Sequence, residues 1–206
     1  LPEIEIDYYF VCVSPFAYLG HEAFHALAVK HGATIRYKPM KLMGVWEKSG
    51  SVPLSQRSDT RKRYRRIELQ RVADIRGLPL NVEPKYFPVD SSLADRAIIA
   101  LIESGKDPTG FIWRVHRGVW VGDENVSDRA QLAAYLAAEG HDGEVVLAAA
   151  EGGEVAAIYQ RNTDDAVAAD AIGAPVYVLN GEPFWGQDRL DYLAHALETG
   201  RGPFRG

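Results

Sequence analysis

Strand-like apolar patterns stand only at the two ends of this 206-residue chain, so any sheet must join segments separated by the whole middle of the sequence. At the front, Ile4, Ile6, Tyr8, Phe10 and Cys12 alternate along Glu3 to Val13, and the run turns apolar on both faces by Phe10, as in a buried strand. Ser14-Pro15 ends that strand and opens a helix. Serine is a favoured N-cap, and proline suits the first helical position because an N–H there would lack an intrahelical partner anyway. Leu19, Ala23, Ala26 and Leu27 recur at helical spacing until Gly32, and Thr34 to Met40 reads as a second strand. At the back, Pro175 to Leu179 is a short apolar run and Asn180-Gly181 is a hairpin turn, across which Pro183-Phe184-Trp185 pairs back. Gly186-Gln187-Asp188 then leads into a helix carrying Leu190, Leu193 and Leu197.

Between about Asp59 and Ala171 the signals are helical, broken at Gly77-Leu78-Pro79, Glu83-Pro84, Asp107-Pro108, Gly140 and Gly152-Gly153. Ser127 reads as the cap of a helix through Leu132 and Leu136. The expected organisation is an α/β domain made of residues 1–56 and 172–206, interrupted by a helical insertion over residues 57–171. Apolar residue types make up 47% of the chain and charged ones 25%, the profile of a soluble globular protein. A formal net charge of -5 argues against general affinity for nucleic acid or anionic membrane. No apolar run approaches the roughly 18–20 residues of a membrane span, and the opening is acidic and alternating where a signal peptide would be basic and then apolar. The single cysteine, Cys12, excludes an internal disulfide and points to a reduced, cytoplasmic setting. In its strand it reads as a buried apolar residue.

Four patterns bear on chemistry. His21-Glu22-Ala23-Phe24-His25 spells H-E-x-x-H, whose two histidines at i and i+4 can share a zinc ion. The pattern is short, Ala28 replaces the glycine of the extended form, and the helix must pack on the sheet, so two helix-surface histidines are the expectation. The basic run Arg57 to Arg76 interleaves Tyr64, Ile67, Val72 and Ile75 at near-helical spacing, which fits an amphipathic helix with a solvated face. It leaves room for one or two of these cations to meet a carboxylate ligand. Ser14 stands at a strand-to-helix turn, as a hydrolase nucleophile does, but G-x-S-x-G is absent. Finally, Ser14-Pro15-Phe16-Ala17 lies where a thioredoxin-like fold carries C-x-x-C, and Gly173-Ala174-Pro175-Val176 lies where such a fold carries its cis-proline loop. Disulfide exchange needs a thiol at the first position, and here there is none. What remains is a hydroxyl donor at a helix N-terminus, suited to an anionic sulfur brought by a ligand.

The chain resembles the 2-hydroxychromene-2-carboxylate isomerases and their kappa-class glutathione transferase relatives, within the DsbA-like thioredoxin superfamily. The resemblance rests on Asp7-Tyr8-Tyr9-Phe10 with Ser14-Pro15-Phe16-Ala17-Tyr18-Leu19, on Tyr64…Gln70-Arg71…Gly77-Leu78-Pro79…Phe87-Pro88, and on Gly173-Ala174-Pro175-Val176 with Phe184-Trp185-Gly186-Gln187-Asp188-Arg189-Leu190. It implies a thioredoxin-like domain with an all-helical insertion, glutathione as cofactor, a small aromatic substrate and a homodimer. Ser14 would bond the glutathione sulfur, and the backbone of Val176 beside a cis Pro175 would pair with the cysteinyl unit. Gln187 and Asp188 would hold the γ-glutamyl end. The implied reaction interconverts 2-hydroxychromene-2-carboxylate and trans-o-hydroxybenzylidenepyruvate by reversible thiolate addition; conjugation by a kappa-like transferase is the alternative. A zinc hydrolase or an inert DsbA-like binding module are more distant ones. The chain departs from the family at Lys41, at Glu68 and at Ser49-Gly50-Ser51, where Ser51 replaces the asparagine of the loop that meets the glycyl end. Trp46, Tyr86, Phe87 and Trp185 are candidate pocket aromatics.

Overall fold

The computed structural model describes residues 3–206. The front of the chain forms strand β1 (Ile4–Phe10), helix α1 (Pro15–His31) and strand β2 (Ala33–Pro39), followed by α2 (Leu42–Ser49). Six further helices fill the middle: α3 (Asp59–Arg76), α4 (Ser92–Glu103), α5 (Thr109–Trp120), α6 (Arg129–Ala138), α7 (Gly143–Ala150) and α8 (Gly153–Ala168). The back forms β3 (Val176–Leu179), β4 (Glu182–Trp185) and α9 (Leu190–Thr199), with a short turn of 3-10 helix at Gln187–Arg189. The expected breaks all fall between helices.

The two ends meet in one four-stranded sheet of order β2-β1-β3-β4. β1 runs parallel to β2, with Tyr8 opposite Tyr37, and antiparallel to β3, with Tyr8 also opposite Tyr177. Aromatic rings stack along β1, with Tyr8 4.4 Å from Phe10, and across to β3, with Tyr8 5.4 Å from Tyr177, and Phe24 of α1 closes on Tyr8 at 4.9 Å. Burial of each such ring contributes about 1.5–3 kcal/mol. The same apolar cluster continues through Ile98 of α4 and Phe111, Val115 and Trp120 of α5, so sheet and insertion share a core. Among the described residues no helix is long and apolar enough to cross a membrane.

α1 starts and stops where the sequence places it. The Ser14 hydroxyl accepts the Ala17 N–H at 3.3 Å, Pro15 occupies the first turn, and Gly32 ends the helix at a φ of 59°. Three expectations are corrected, and one element is new. β1 ends at Phe10 rather than Val13, because the buried Cys12 and Val13 turn their backbone groups toward α4 and α5 and the Val11 carbonyl closes a turn with Ser14, so none pairs with a neighbouring strand. α6 is capped by Asp128, which accepts the Ala130 N–H at 2.9 Å, while the Ser127 hydroxyl is drawn back to Asn125. α3 buries Leu69, Val72 and Ala73 but leaves Tyr64, Ile67 and Ile75 exposed, so only Val72 of the interleaved apolar residues faces the core. α2, with only Val45 buried and no side-chain cap, was not foreseen.

Gly20 marks the closest approach of α1 to the turn after β4. A Cβ there would stand 2.6 Å from Gln187 Cβ and 3.1 Å from the Tyr177 hydroxyl, so one of them must move. Gly20→Ala is expected to destabilise the protein by about 1–3 kcal/mol through overpacking. Urea unfolding checks this, and an unchanged midpoint would contradict the packing.

Candidate active site

Ser14 is drawn to the chain's other end by the fold. Its hydroxyl donates to the Ala174 carbonyl at 3.4 Å, and the Ala174–Pro175 peptide is cis. In the first turn of α1, Pro15 has no N–H and Ala17 is bonded to Ser14, which leaves the Phe16 N–H without an intrahelical acceptor. The helix terminus adds a partial positive charge. A hydroxyl at a helix N-terminus can hold an anion such as a thiolate. A shift of two units in a thiol's ionisation requires about 2.7 kcal/mol, within reach of one charge-assisted hydrogen bond and a helix terminus.

Gly173 to Pro175 precede β3 and lie outside its ladder. Val176 is already in an inner strand, opposite Tyr9 on one side and Trp185 on the other. The loop backbone next to Ser14 is therefore that of Ala174, two residues earlier than the expected Val176. Two tryptophans gather on this loop: a Cβ at Gly173 would stand 2.9 Å from Trp185 Nε1 and 3.6 Å from Trp46 Nε1. The hydroxyls of Ser49 and Ser51 donate to the Ile172 carbonyl at 3.0 and 3.4 Å, which brings the end of α2 to the same loop. The Gly186 N–H donates to the Pro175 carbonyl at 2.8 Å and ties the following turn to it. In that turn Gln187 is buried and its Oε1 accepts from Arg76 at 3.0 Å, whereas Asp188 is exposed and paired with Arg189. Arg76 is the site residue missed individually in the sequence, where it was only the last cation of a basic run.

Ser14, Ser51 and the turn that carries Gln187 and Asp188 are each tied by a hydrogen bond to the segment Ile172 to Pro175. The four aromatics do not form one pocket. Phe87 packs on Trp120 at 4.7 Å with Arg65 over its face, and Tyr86 lies under Lys85. A hollow of about 550 Å³ adjoins the loop at Ile172 and Trp185 and extends to Tyr192 and Phe204, and another of about 400 Å³ lies away from it between β2 and the helices α4 and α8.

The H-E-x-x-H histidines are not a surface pair. His21 is buried, stacked on Trp113 at 5.2 Å and set edge-on to His116 at 5.4 Å. His25 donates from Nδ1 to the His21 carbonyl and accepts from the Tyr37 hydroxyl at Nε2, both at 2.7 Å, so neither ring nitrogen is left for a metal. Among the described residues no group of three His, Cys, Asp or Glu side chains could hold a metal ion. Burial pushes His21 down to about 2 and His116 down to about 4. His25 is lowered for the same reason. Burial also raises Asp95, to about 6, against hydrogen bonds from Cys12, Ser91 and Tyr159.

These shifts set the acid response. An unfolded chain protonates His21 and His116 near pH 6.5, whereas the folded rings stay neutral to about 4 or lower, so their contribution is intact above about pH 6.5 and lost as pH falls. Asp95 acts oppositely, because its folded carboxyl takes up a proton before the unfolded one does. Two protons gained on unfolding against one released leave a net of one, so stability should fall by about 1.4 kcal/mol per pH unit between about pH 6 and 4.5. His25 adds to the same trend. Urea melts across this range check the slope, and Asp95→Asn should steepen it; a flat profile would contradict it.

The sequence matches the family model described as a DSBA-like thioredoxin domain over residues 5–198. It is 30% identical to a 2-hydroxychromene-2-carboxylate isomerase of Pseudomonas putida over 93% of both chains. It is 27% identical to the glutathione S-transferase kappa 1 of Caenorhabditis elegans, over 94% of this chain and 90% of that one. Its fold superposes on a solved 2-hydroxychromene-2-carboxylate isomerase with a TM-score of 0.79, at 25% identity and 95% coverage of each chain. Fold, cis-proline loop and sequence likeness agree: the chain belongs to the 2-hydroxychromene-2-carboxylate isomerase family of DsbA-like thioredoxin-domain proteins.

Proposed function

We propose that this protein is a cytoplasmic, glutathione-dependent isomerase of the 2-hydroxychromene-2-carboxylate type. The observation that carries this reading is the hydroxyl of Ser14, set between the start of α1 and the cis-proline loop, where a disulfide enzyme would keep its own sulfur. Neither Ser14 nor Ala17 supplies a thiol, and Cys12 is fully buried, so the sulfur must come with a ligand.

The donor set suits glutathione. The Arg76 guanidinium beside Gln187 matches a free α-carboxylate, and Asp188 in the same turn matches the adjacent ammonium. The Ala174 backbone, just before Val176 enters the ladder, would meet the cysteinyl unit, and Ser51, with Ser49, would meet the glycyl end. When bound there, glutathione supplies a thiolate able to add reversibly to a conjugated double bond, which frees that bond to rotate. The Ser14 hydroxyl, whose bond to the Ala174 carbonyl is long, would hold that sulfur, and the helix terminus would favour its anionic form. Trp46 and Trp185 turn their indole nitrogens toward the loop, where an aromatic substrate would lie beside them. A homodimer has an exposed apolar stripe to use at Tyr64, Ile67 and Ile75 of α3.

A kappa-like transferase uses the same thiolate and differs in its product, and the likeness to the nematode kappa enzyme favours it as the second reading. Incubation of 2-hydroxychromene-2-carboxylate with and without glutathione, followed by mass spectrometry, separates the two. The isomerase releases an isomer of unchanged mass only when glutathione is present; a retained glutathionyl adduct selects the transferase. Asp188→Ala should weaken glutathione binding about tenfold or more, the worth of one hydrogen bond to a charged group. Turnover indifferent to glutathione would contradict both readings.

A further inference from the structure

We propose that Asp95, His116 and Trp120 are positioning residues that hold the Ser14 hydroxyl in place at the start of α1, acting through the backbone of Cys12 and Val13. The proposal takes Ser14 as the sulfur-binding residue. Val11 to Ser14 is a short connection between a strand and a helix, the kind of segment that ordinarily leaves its backbone to water. Here it is buried, and its polar groups are claimed from elsewhere. The Cys12 N–H donates to Asp95 Oδ1 at 2.9 Å. The Cys12 carbonyl accepts from His116 Nδ1 at 2.7 Å, and the Val13 carbonyl accepts from Trp120 Nε1 at 3.2 Å. The Ser14 N–H closes the turn onto the Val11 carbonyl at 2.9 Å.

All three clamping side chains are completely buried, and each is itself braced. Asp95 accepts from the hydroxyls of Ser91 at 2.8 Å and Tyr159 at 3.1 Å, which ties α4 and α8 to the loop. His116 packs against Tyr18 and His21 of α1, the helix that Ser14 caps, and Trp120 packs on Phe87. The helices between the two halves of the sheet therefore set where Ser14 sits relative to the first turn of α1. Placement errors of about 0.5 Å degrade a hydrogen bond of this kind, so the clamp bears directly on how well an anion is held.

The test needs no glutathione. In the Ser14→Cys variant the new thiol reports the local field directly, because the native Cys12 is fully buried and escapes alkylation. The pH dependence of its reaction with iodoacetamide should place its ionisation about one to two units below the usual 8.5. Adding His116→Phe or Trp120→Phe, each of which keeps a ring and removes the donor, should raise it by about half a unit or more. Adding His116→Asn, whose amide N–H can replace that of the imidazole, should restore the original value within about 0.2 unit. Leu136→Ala, a core change in α6 outside the clamp, should lower thermal stability and leave the thiol unmoved. The proposal is overturned if both phenylalanine variants leave the ionisation unchanged, if Leu136→Ala shifts it equally, or if the thiol is ordinary in the parent variant. A protein that shows these shifts yet fails to bind glutathione refutes the isomerase reading and leaves the clamp standing.

Discussion

Replacing Ser14 with alanine is expected to cut glutathione-dependent turnover about twentyfold near neutral pH while leaving the fold intact. An ordinary thiol with a pKa near 8.5 is only a few per cent ionised at pH 7. A site that lowers this by about two units leaves most of the thiol ionised at pH 7, so losing that stabilisation costs about twentyfold in thiolate and hence in rate. The hydroxyl also caps α1 through the Ala17 N–H, so the variant should lose about 1 kcal/mol of stability as well. The two effects separate in a pH–rate profile. The alanine variant should recover activity as pH rises toward the ionisation of free thiol, whereas a misfolded enzyme would not. Turnover equal to that of the parent at pH 7 would strip Ser14 of its role.

Trp120→Ala should cost about 3–5 kcal/mol, the range for truncating a large buried aromatic. Trp120 is completely buried, packs on Phe87 at 4.7 Å, and its indole N–H is the partner of the Val13 carbonyl. Truncation leaves a cavity between the helices and an unpaired carbonyl in the loop before Ser14, and both terms have the same sign. At roughly 2–4 °C per kcal/mol for a protein of this size, the melting temperature should drop by about 10 °C. A loss below about 1 kcal/mol would mean that the site collapses around the change and that the core shared by sheet and helices is not rigid there.

Much of this was legible in the sequence where the signal is local. Ser14-Pro15 and Gly32 bracket α1 as their capping chemistry requires, and Asn180-Gly181 turns β3 into β4 as expected. The resemblance assigned Gln187 and Asp188 to a γ-glutamyl end without foretelling that the Gly186 N–H would tie their turn to the Pro175 carbonyl. Short-range competition hid other features. Asp128 and Ser127 are both good caps, and only the pull of Asn125 on Ser127 decides between them. α2 buries one residue, too little to leave a periodic signature. Spacing alone showed that α3 is amphipathic but not which stripe turns inward, because Leu69, Val72 and Ala73 compete with Tyr64, Ile67 and Ile75 at similar periods. The contacts of Cys12 with Asp95 and His116, and of Arg76 with Gln187, join residues far apart in the chain. No pattern within one segment announces which side chain of a distant helix will reach a given carbonyl. His21 was misjudged for the same reason: the helices that bury it come from the middle of the chain.

Ultraviolet difference titration of bound glutathione, in the parent protein and in Ser14→Ala, tests the central claim most directly. Thiolate absorbance should appear on binding to the parent and titrate about two units below free thiol, and in the alanine variant it should return most of the way to the free value. Bound glutathione that titrates like the free tripeptide, or a depressed value that survives the loss of the Ser14 hydroxyl, would contradict it.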